Sequence, residues 1–97
     1  MNTKVHFEWD ANKDKNNQQK HGVSFAKAQM AFRDTKRVIL EDTKHSLYEK
    51  RYYCLGKIND DIMTVRFTYR SDKIRIFGAG YWRKGKRIYE QKNNIYR

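Results

Sequence analysis

Residues 62–80 have the sequence IMTVRFTYRSDKIRIFGAG, and the predicted fold class follows from their pattern. Apolar residues alternate with polar ones on both sides of the dipeptide SD, which is typical of two strands joined by a tight turn. One face of the first strand carries Met63, Val65, Phe67 and Tyr69, and one face of the second carries Ile74, Ile76 and Gly78. The opposite faces carry Thr64, Arg66, Thr68 and Arg70, and Lys73, Arg75 and Phe77. Because a half-buried sheet has one apolar face, we expect Arg66, Arg70 and Arg75 to gather on the other.

Three further strands are predicted upstream, at residues 5–9, 37–41 and 49–58. The last of these, EKRYYCLGKI, precedes the turn NDD, and the spacing predicts an antiparallel meander. Arg51 alternates with Tyr53 and Leu55, so the pattern leaves open which face it occupies.

Three helices are predicted around these strands. The first covers residues 11–20, with Asp10 as N-cap and Gly22 as the stop. It has no apolar residue between Ala11 and Val23, so either its ends stabilise it or its polar side chains have a function. The second covers residues 25–34 after Ser24, and the third covers residues 83–93. We therefore expect a single α+β domain over residues 1–97, with helices on one face of an antiparallel sheet.

The charge of the chain points to a polyanionic partner. The net charge is +11, and residues 70–97 contribute nine basic against two acidic side chains. Nucleic acid is the first partner to consider and an acidic protein the second, whereas no segment suits a membrane surface. The N-terminus lacks the apolar run of a signal peptide and no stretch is long enough to span a membrane, so a cytoplasmic location is expected.

Cysteine and histidine usage gives no sign of a metal site. Cys54 is the only cysteine, and its alternation with aromatic neighbours predicts a small buried side chain. The three histidines, His6, His21 and His45, do not have the spacing of metal ligands. No Gly-rich phosphate loop or serine elbow is present, so neither a metal nor a cofactor is expected.

The basic and aromatic residues are compatible with RNA cleavage. This reaction needs a group to activate the 2′-hydroxyl, cations to stabilise the phosphorane-like transition state and an acid for the leaving oxygen. His21 or His45 can transfer protons, but His21 can equally serve to cap a helix terminus and His45 can be a solvent-exposed loop residue. For each arginine, a solvated or phosphate-holding role stands beside a catalytic one.

Three segments resemble the BrnT family. They are FEWDANKDKNNQQKHGVSFAKA at residues 7–28, LEDTKHSLYEKRYYCLG at residues 40–56 and FTYRSDKIRIFGAGYWRKGKRIYE at residues 67–90. The matching motifs are the aromatic-x-WD, the KHGVSF, the ED-x-x-HS with the following E-x-R, the FT-x-R and the closing R-x-YE. They occur in the family's order across nearly the whole chain.

The resemblance implies a RelE-like fold and a toxin of a type II toxin–antitoxin system that cleaves RNA and blocks translation. It implies as partner a BrnA-type antitoxin with a ribbon-helix-helix part, through which the complex reaches operator DNA. The candidate catalytic residues are His21, Arg51, Arg70, Arg75 and Tyr89. Arg51, Arg70 and Arg75 would hold the scissile phosphate, and Tyr89 would donate a hydrogen bond or stack. The candidate RNA-binding residues are Lys20, Arg66, Arg83, Lys84, Lys86 and Arg87.

The chain departs from the family pattern at one point. Many members read ISAR where this chain reads FGAG, so an arginine is missing at Ala79 or Gly80. Loss of a cation at the transition state would cost a few kcal/mol unless Arg75, Arg83 or Lys84 substitutes. A non-catalytic basic module acting within an antitoxin–DNA repressor complex is therefore the alternative function, and a purely structural basic domain is a third.

Overall fold

The computed structural model describes residues 5–95 and contains, within them, one five-stranded sheet, three α-helices and two 3₁₀ helices. In chain order the elements are β1 (His6–Trp9), α1 (Ala11–His21), α2 (Phe25–Ala28), the first 3₁₀ helix (Gln29–Arg33), β2 (Val38–Glu41), the second 3₁₀ helix (Thr43–His45), β3 (Tyr52–Ile58), β4 (Asp61–Arg70), β5 (Lys73–Gly80) and α3 (Arg83–Lys92). The predicted α+β class is confirmed.

The strands lie in the order β1-β5-β4-β3-β2. Every pair from β5 to β2 is antiparallel, which confirms the predicted meander. β1 pairs with β5 in parallel, from His6 opposite Lys73 to Trp9 opposite Ile76. The expectation of a wholly antiparallel sheet is therefore wrong at this edge. A parallel pair needs a long crossover, and here two α-helices and three strands lie between β1 and β5.

Helices cover both faces of the sheet, so the expectation that they pack on one face is wrong. The larger core lies under α2 and the first 3₁₀ helix and consists of Val23, Phe25, Ala28, Ala31, Cys54, Ile58, Met63, Val65, Phe67, Ile74, Ile76 and Ala79. On the other face, Tyr89 of α3 packs with Leu55 and Ile62. The physical reason is that Cys54 and Leu55, and likewise Ile62 and Met63, are apolar neighbours in a strand, so each face has apolar surface to bury.

Two glycines allow the helical layers to approach the sheet closely. A Cβ at Gly56 on β3 would overlap the backbone carbonyl of Ala31 in the first 3₁₀ helix. A Cβ at Gly85 on α3 would overlap the hydroxyl of Thr64 on β4. These two contacts lie on opposite faces, and each sets the distance at which a helix crosses a strand.

A register shift between Arg66 and Phe67 changes which residues of β5 face the core. Strict alternation predicts Gly78 beside Ile76 on the apolar face, but Ala79 is the residue buried in the larger core. Gly78 faces the other way, where a Cβ would lie 3.8 Å from Cδ of Arg66. Because a bulge gives one strand an extra residue, the alternation that the sequence predicts breaks at this point.

The ends of α1 are capped as predicted. The carboxylate of Asp10 accepts hydrogen bonds from the backbone N–H groups of Asn12 at 2.8 Å and Lys13 at 3.1 Å. Gly22 ends the helix with a φ of 68°, a left-handed conformation that favours glycine. The helix predicted at residues 25–34 is α-helical for one turn only, and the first 3₁₀ helix continues it.

Asp34 connects the helical layers on both faces to the sheet. Its Oδ2 accepts hydrogen bonds from the hydroxyl of Tyr89 at 2.6 Å and the N–H of Lys57 at 2.8 Å, and its Oδ1 accepts from the N–H of Lys36 at 2.9 Å. Burial alone would raise the pKa of Asp34, but these hydrogen bonds outweigh it and lower that pKa below its usual value. Burial and the bond to Asp34 raise the pKa of Tyr89 to about 12.

Replacing Tyr89 with phenylalanine should lower the free energy of unfolding at neutral pH by about 1.5–3 kcal/mol, because the ionised Asp34 loses a donor. The folded pKa of Asp34 lies below its unfolded value of about 3.9. Its stabilisation is therefore complete above that value and is lost as the pH falls through the folded pKa. Urea unfolding should show a smaller difference between Tyr89→Phe and wild type in acid than at neutral pH.

The matched control for this substitution is Tyr48→Phe, because Tyr48 is 96% exposed. This control should unfold like the wild type at both pH values. A loss in Tyr89→Phe that is equal at acid and neutral pH would show that the hydrogen bond to the Asp34 carboxylate is not its source.

Candidate active site

A cavity of about 530 Å³ lies between α3 and the face of the sheet formed by β2, β3 and β4. It is lined by Leu40, Glu41, His45, Tyr53, Leu55, Thr64, Arg66, Trp82, Lys84, Gly85 and Ile88. Most of its lining is apolar, and a glutamate, a histidine, an arginine and a lysine enter it as well. Concave, largely apolar surfaces with a few convergent polar groups are the usual form of ligand sites.

The second 3₁₀ helix places His45 beside a buried carboxylate. Nδ1 of His45 lies 2.8 Å from Oδ2 of Asp42, and the side chain of Asp42 is 5% exposed whereas that of His45 is 52% exposed. Burial alone would raise the pKa of Asp42, but hydrogen bonds from His45 and Tyr53 and the charge of Arg66 outweigh it and lower that pKa. The ionised Asp42 accepts a hydrogen bond from Nδ1–H, which leaves Nε2 of His45 to exchange protons with a ligand.

Ser46 closes the loop that carries this pair. Its hydroxyl donates to the carbonyl of Asp42 at 2.6 Å and accepts from the N–H of Arg51 at 2.9 Å. The N–H of Asp42 donates in turn to the carbonyl of Arg51 at 2.7 Å. A 3₁₀ turn aligns residues three apart, so the D-x-x-H-S spacing places His45 over Asp42 and anchors both at the start of β3.

Arg66 and Lys84 bring two cations to the cavity, and within residues 5–95 neither of them forms an ion pair. The charge of Arg66 acts on Asp42 and on Tyr53, whose pKa is raised by burial and by Asp42 despite Arg66. Among residues 5–95, no carboxylate oxygen lies within 4 Å of the guanidinium of Arg66 or the ammonium of Lys84. Both groups are therefore available to an anionic ligand such as a phosphate.

The three arginines predicted to be catalytic each have a carboxylate partner. The pairs are Arg51–Glu49 at 4.0 Å, Arg70–Glu49 at 3.3 Å and Arg75–Glu8 at 3.1 Å. Strand alternation places Arg70 on the face of Arg66, and Arg75 lies opposite Thr68 on that face. The predicted gathering of Arg66, Arg70 and Arg75 opposite the larger core is therefore confirmed.

The structure also resolves the position of Arg51, which the sequence leaves open. Tyr52 stacks on Phe67 in the larger core, so the preceding Arg51 points to the opposite face. There its guanidinium lies 4.3 Å from the ring centre of Phe77, and the ammonium of Lys13 lies 5.2 Å from the same ring. The basic side chains of Arg51, just before β3, and Lys13 of α1 therefore lie around one aromatic ring on the face of the sheet that carries Arg66.

His21 lies at the end of α1 against Trp82, with their ring centres 5.3 Å apart and their planes nearly perpendicular. The ring of Trp82 also covers Gly80, where a Cβ would lie 2.8 Å from Cζ2 and Cη2 of the indole. Ala79 is fully buried. The two positions at which the resemblance expects an arginine therefore leave no room for one while Trp82 keeps its place.

The remaining predicted RNA contacts lie on helix surfaces. Lys20 on α1 and Arg83, Lys86 and Arg87 on α3 are exposed. Tyr89 is different, because it is 2% exposed and its hydroxyl is bound to Asp34. This position gives Tyr89 a structural role and removes it from the surface that RNA can reach.

The site contains three residues that sequence reasoning does not assign a role: Asp42, Tyr53 and Thr64. The spacing of three residues between Asp42 and His45 was a usable signal for the first of them. No local signal marks the other two, because α3 completes the cavity from a distant part of the chain.

Cys54 is a packing residue, as predicted. It is buried in the larger core, and burial raises the pKa of its thiol to about 12. Within residues 5–95, no three His, Cys, Asp or Glu side chains are placed to hold a metal ion. No helix in this part of the chain is long and apolar enough to cross a membrane.

Fold and site together define a small, basic α+β protein with a histidine–carboxylate pair in a cationic cavity. The model of one known family, described as the ribonuclease toxin BrnT of a type II toxin–antitoxin system, matches residues 9–85. The chain therefore belongs to the BrnT family. Membership indicates a ribonuclease toxin and implies an antitoxin partner. The matched region includes Asp42, His45, Arg66 and Lys84. A comparison with curated proteins found no match.

Proposed function

We propose that this protein is a metal-independent endoribonuclease toxin that cleaves RNA in the cavity beneath α3 and so inhibits translation. In this proposal it acts in the cytoplasm, and a BrnA-type ribbon-helix-helix antitoxin neutralises it and carries the complex to operator DNA. We also propose that its single domain follows the RelE-like plan. The observation that carries the proposal is that His45, held by Asp42, lines the same cavity as Arg66 and Lys84, neither of which forms an ion pair within residues 5–95.

The proposed reaction uses these groups in turn. Nε2 of His45 takes the proton of the ribose 2′-hydroxyl, and the 2′-oxygen attacks phosphorus while the bond to the 5′-oxygen breaks. Arg66 and Lys84 stabilise the charge that grows on the phosphoryl oxygens. The departing 5′-oxygen takes a proton from solvent water and His45 then releases its proton to solvent, so the products are a 2′,3′-cyclic phosphate and a 5′-hydroxyl. Neither bond change requires a metal or a redox partner.

The surrounding charges fit a longer stretch of RNA. We assign Arg51, Arg70 and Arg75 to the phosphates next to the scissile one. These arginines lie on the same face of the sheet as the cavity, but each of them is paired with Glu49 or Glu8. The exposed Lys20, Arg83, Lys86 and Arg87 flank this face on the helices and extend the contact to RNA or antitoxin. His21, beside Trp82, is assigned to RNA contact.

One observation favours a second function, a non-catalytic module acting within an antitoxin–DNA repressor complex. Trp82 covers Gly80 at the place where the family resemblance expects an arginine. The two functions differ in one test. Expression of the ribonuclease without its antitoxin should arrest growth, whereas the binding module should leave growth unchanged.

Replacing Arg66 with alanine should lower the rate of RNA cleavage in EDTA by about 10²-fold, because a cation at the growing charge is lost. The rate is measured on end-labelled RNA, and the 2′,3′-cyclic phosphate is identified on the upstream product. The matched control is Arg33→Ala, which removes the same charge from an exposed position outside this cavity and should retain activity.

Circular dichroism and urea unfolding should show that both arginine variants are folded. Equal rates in Arg66→Ala and Arg33→Ala would contradict the proposed site. Absence of cleavage in the folded wild type, both on free RNA and on ribosome-bound message, would favour the non-catalytic module. Cleavage that EDTA abolishes and Mg²⁺ restores would overturn metal independence.

A further inference from the structure

The proposed chemistry uses only part of the cavity. A phosphate group and two cations need no apolar surface, yet the half-buried Leu40 and Ile88 line the space beside them. Trp82 adds an aromatic side chain that is 39% exposed. Apolar and aromatic surface left open next to a phosphate site is suited to a flat aromatic group attached to that phosphate.

One buried polar atom in the cavity has no partner. Thr64 is 6% exposed, and its hydroxyl makes no hydrogen bond to any group in residues 5–95. A hydroxyl buried without a partner is unfavourable for folding. It can both donate and accept, so it can bond to the edge of a heterocyclic ring that enters the cavity.

We propose that the apolar part of this cavity is a nucleobase subsite. It would bind the base of the nucleotide whose phosphate is held by Arg66 and Lys84, with Trp82 as an aromatic wall and the Thr64 hydroxyl as a hydrogen-bond partner. This inference rests on the proposed function, because it names a subsite of the RNA-cleaving cavity. RNA bases are recognised in this way when they are splayed out of single strands.

The first turn of α3 controls access to Thr64. The backbone at Gly85 lies so close to the Thr64 hydroxyl that a Cβ there would overlap it. A base edge therefore reaches the hydroxyl only when this turn moves outward from β4. Gly85 keeps the turn close to the sheet, and an outward movement of the turn would carry the adjacent Trp82 and Lys84 with it.

The test begins with binding, so that it does not depend on cleavage. The four nucleoside 3′-monophosphates and ribose 5-phosphate are titrated into the full chain and followed by NMR. At least one nucleotide should bind about tenfold more tightly than ribose 5-phosphate, since contact of one base with an aromatic wall has about this effect. Shifts should appear at Trp82 and Thr64.

A matched pair of variants on β2 then locates the subsite. Leu40 faces this cavity, whereas the neighbouring Ile39 lines a separate cavity on the other face. Leu40→Trp should fill the subsite, so that the nucleotide no longer binds more tightly than ribose 5-phosphate. Ile39→Trp should retain the tenfold difference in affinity. Thr64→Val removes the hydroxyl at nearly constant volume, so it should reduce the differences between the four bases while leaving stability equal or higher.

Cleavage mapping on an RNA of mixed sequence gives an independent readout. Wild type should prefer one base next to the cleaved bond, and Thr64→Val should weaken that preference. Equal binding of ribose 5-phosphate and all four nucleotides would overturn the subsite, as would an unchanged base advantage in Leu40→Trp. Base-dependent binding without RNA cleavage would sustain the subsite and refute the proposed ribonuclease, so the two failures are distinguishable.

Discussion

Replacing His45 with glutamine should lower the rate of RNA cleavage by about 10²–10⁴-fold, because the proton transfer assigned to Nε2 is lost. The glutamine amide can still donate to the buried Asp42 carboxylate, and Ser46 still closes the loop, so the site should keep its shape. Single-turnover cleavage of a fluorescent RNA measures the chemical step apart from product release.

Asp42→Asn tests how the histidine is oriented. The Asp42 carboxylate accepts from Nδ1–H, whereas an asparagine amide can donate to Nδ1 and favour the tautomer with its hydrogen on Nε2. A neutral His45 in that tautomer cannot accept the 2′-hydroxyl proton. We therefore expect a large loss in Asp42→Asn and little further loss when it is combined with His45→Gln, because the two residues act as one unit.

His21→Gln is the matched control, since it makes the same chemical change at the histidine that packs against Trp82. It should reduce cleavage far less than His45→Gln. If His21→Gln abolished cleavage and His45→Gln did not, the assignment of the proton-transferring residue would be reversed. Circular dichroism on each variant separates loss of chemistry from loss of fold.

The strands were predictable because their information is local. Alternation over residues 62–80 predicts β4, β5 and the position of Arg66 opposite the larger core. It fails at Gly78 and Ala79, since the bulge depends on how two strands pair and not on either strand alone. The apolar run at Cys54 and Leu55 was a usable sign of a sheet buried on both faces, but alternation alone does not show it.

The candidate site was less predictable because its groups meet only in the folded chain. The order of charges indicates a basic surface, yet it does not show that Glu49 and Glu8 balance three of the arginines while Arg66 has no such partner. From the sequence alone, a tyrosine in a basic helix is predicted to contact RNA. Tyr89 is nevertheless buried on Asp34, a partner 55 positions away that no local pattern reveals.

The polar helix α1 is attached to the sheet by the side chain of Asn17. The sequence leaves open whether the ends of this helix hold it or its polar side chains have a function, and the side chain of Asn17 is buried against the edge of β5. Nδ2 of Asn17 donates to the carbonyls of Val23 and Ala79 at 2.9 Å each, and Oδ1 accepts from the N–H of Ala79 at 3.2 Å. One amide therefore pairs with β5 beyond the end of β1, as a neighbouring strand would.

Asn17→Ala should lower the free energy of unfolding by about 3–4 kcal/mol, because one buried N–H and two carbonyls lose their partners at once. Urea unfolding followed by circular dichroism measures this loss. Asn16→Ala is the matched control, since Asn16 is the exposed neighbour and has the same effect on helix propensity. The control should change stability by only a few tenths of a kcal/mol.

Asn17→Asp tests the hydrogen bonds that Nδ2 donates separately from the one that Oδ1 accepts. One oxygen of the introduced carboxylate can still accept from the N–H of Ala79. The other oxygen replaces the donor Nδ2 and therefore faces the carbonyl oxygens of Val23 and Ala79, to which it cannot donate. Its charged form is disfavoured in the folded protein, so its folded pKa should lie above the unfolded value of about 3.9. Relative to wild type at each pH, the variant should therefore lose stability as the pH rises from the unfolded pKa to the folded one. A deficit that is independent of pH would contradict the raised pKa of the introduced carboxylate, and one no larger than that of Asn16→Ala would show that β5 does not depend on this amide.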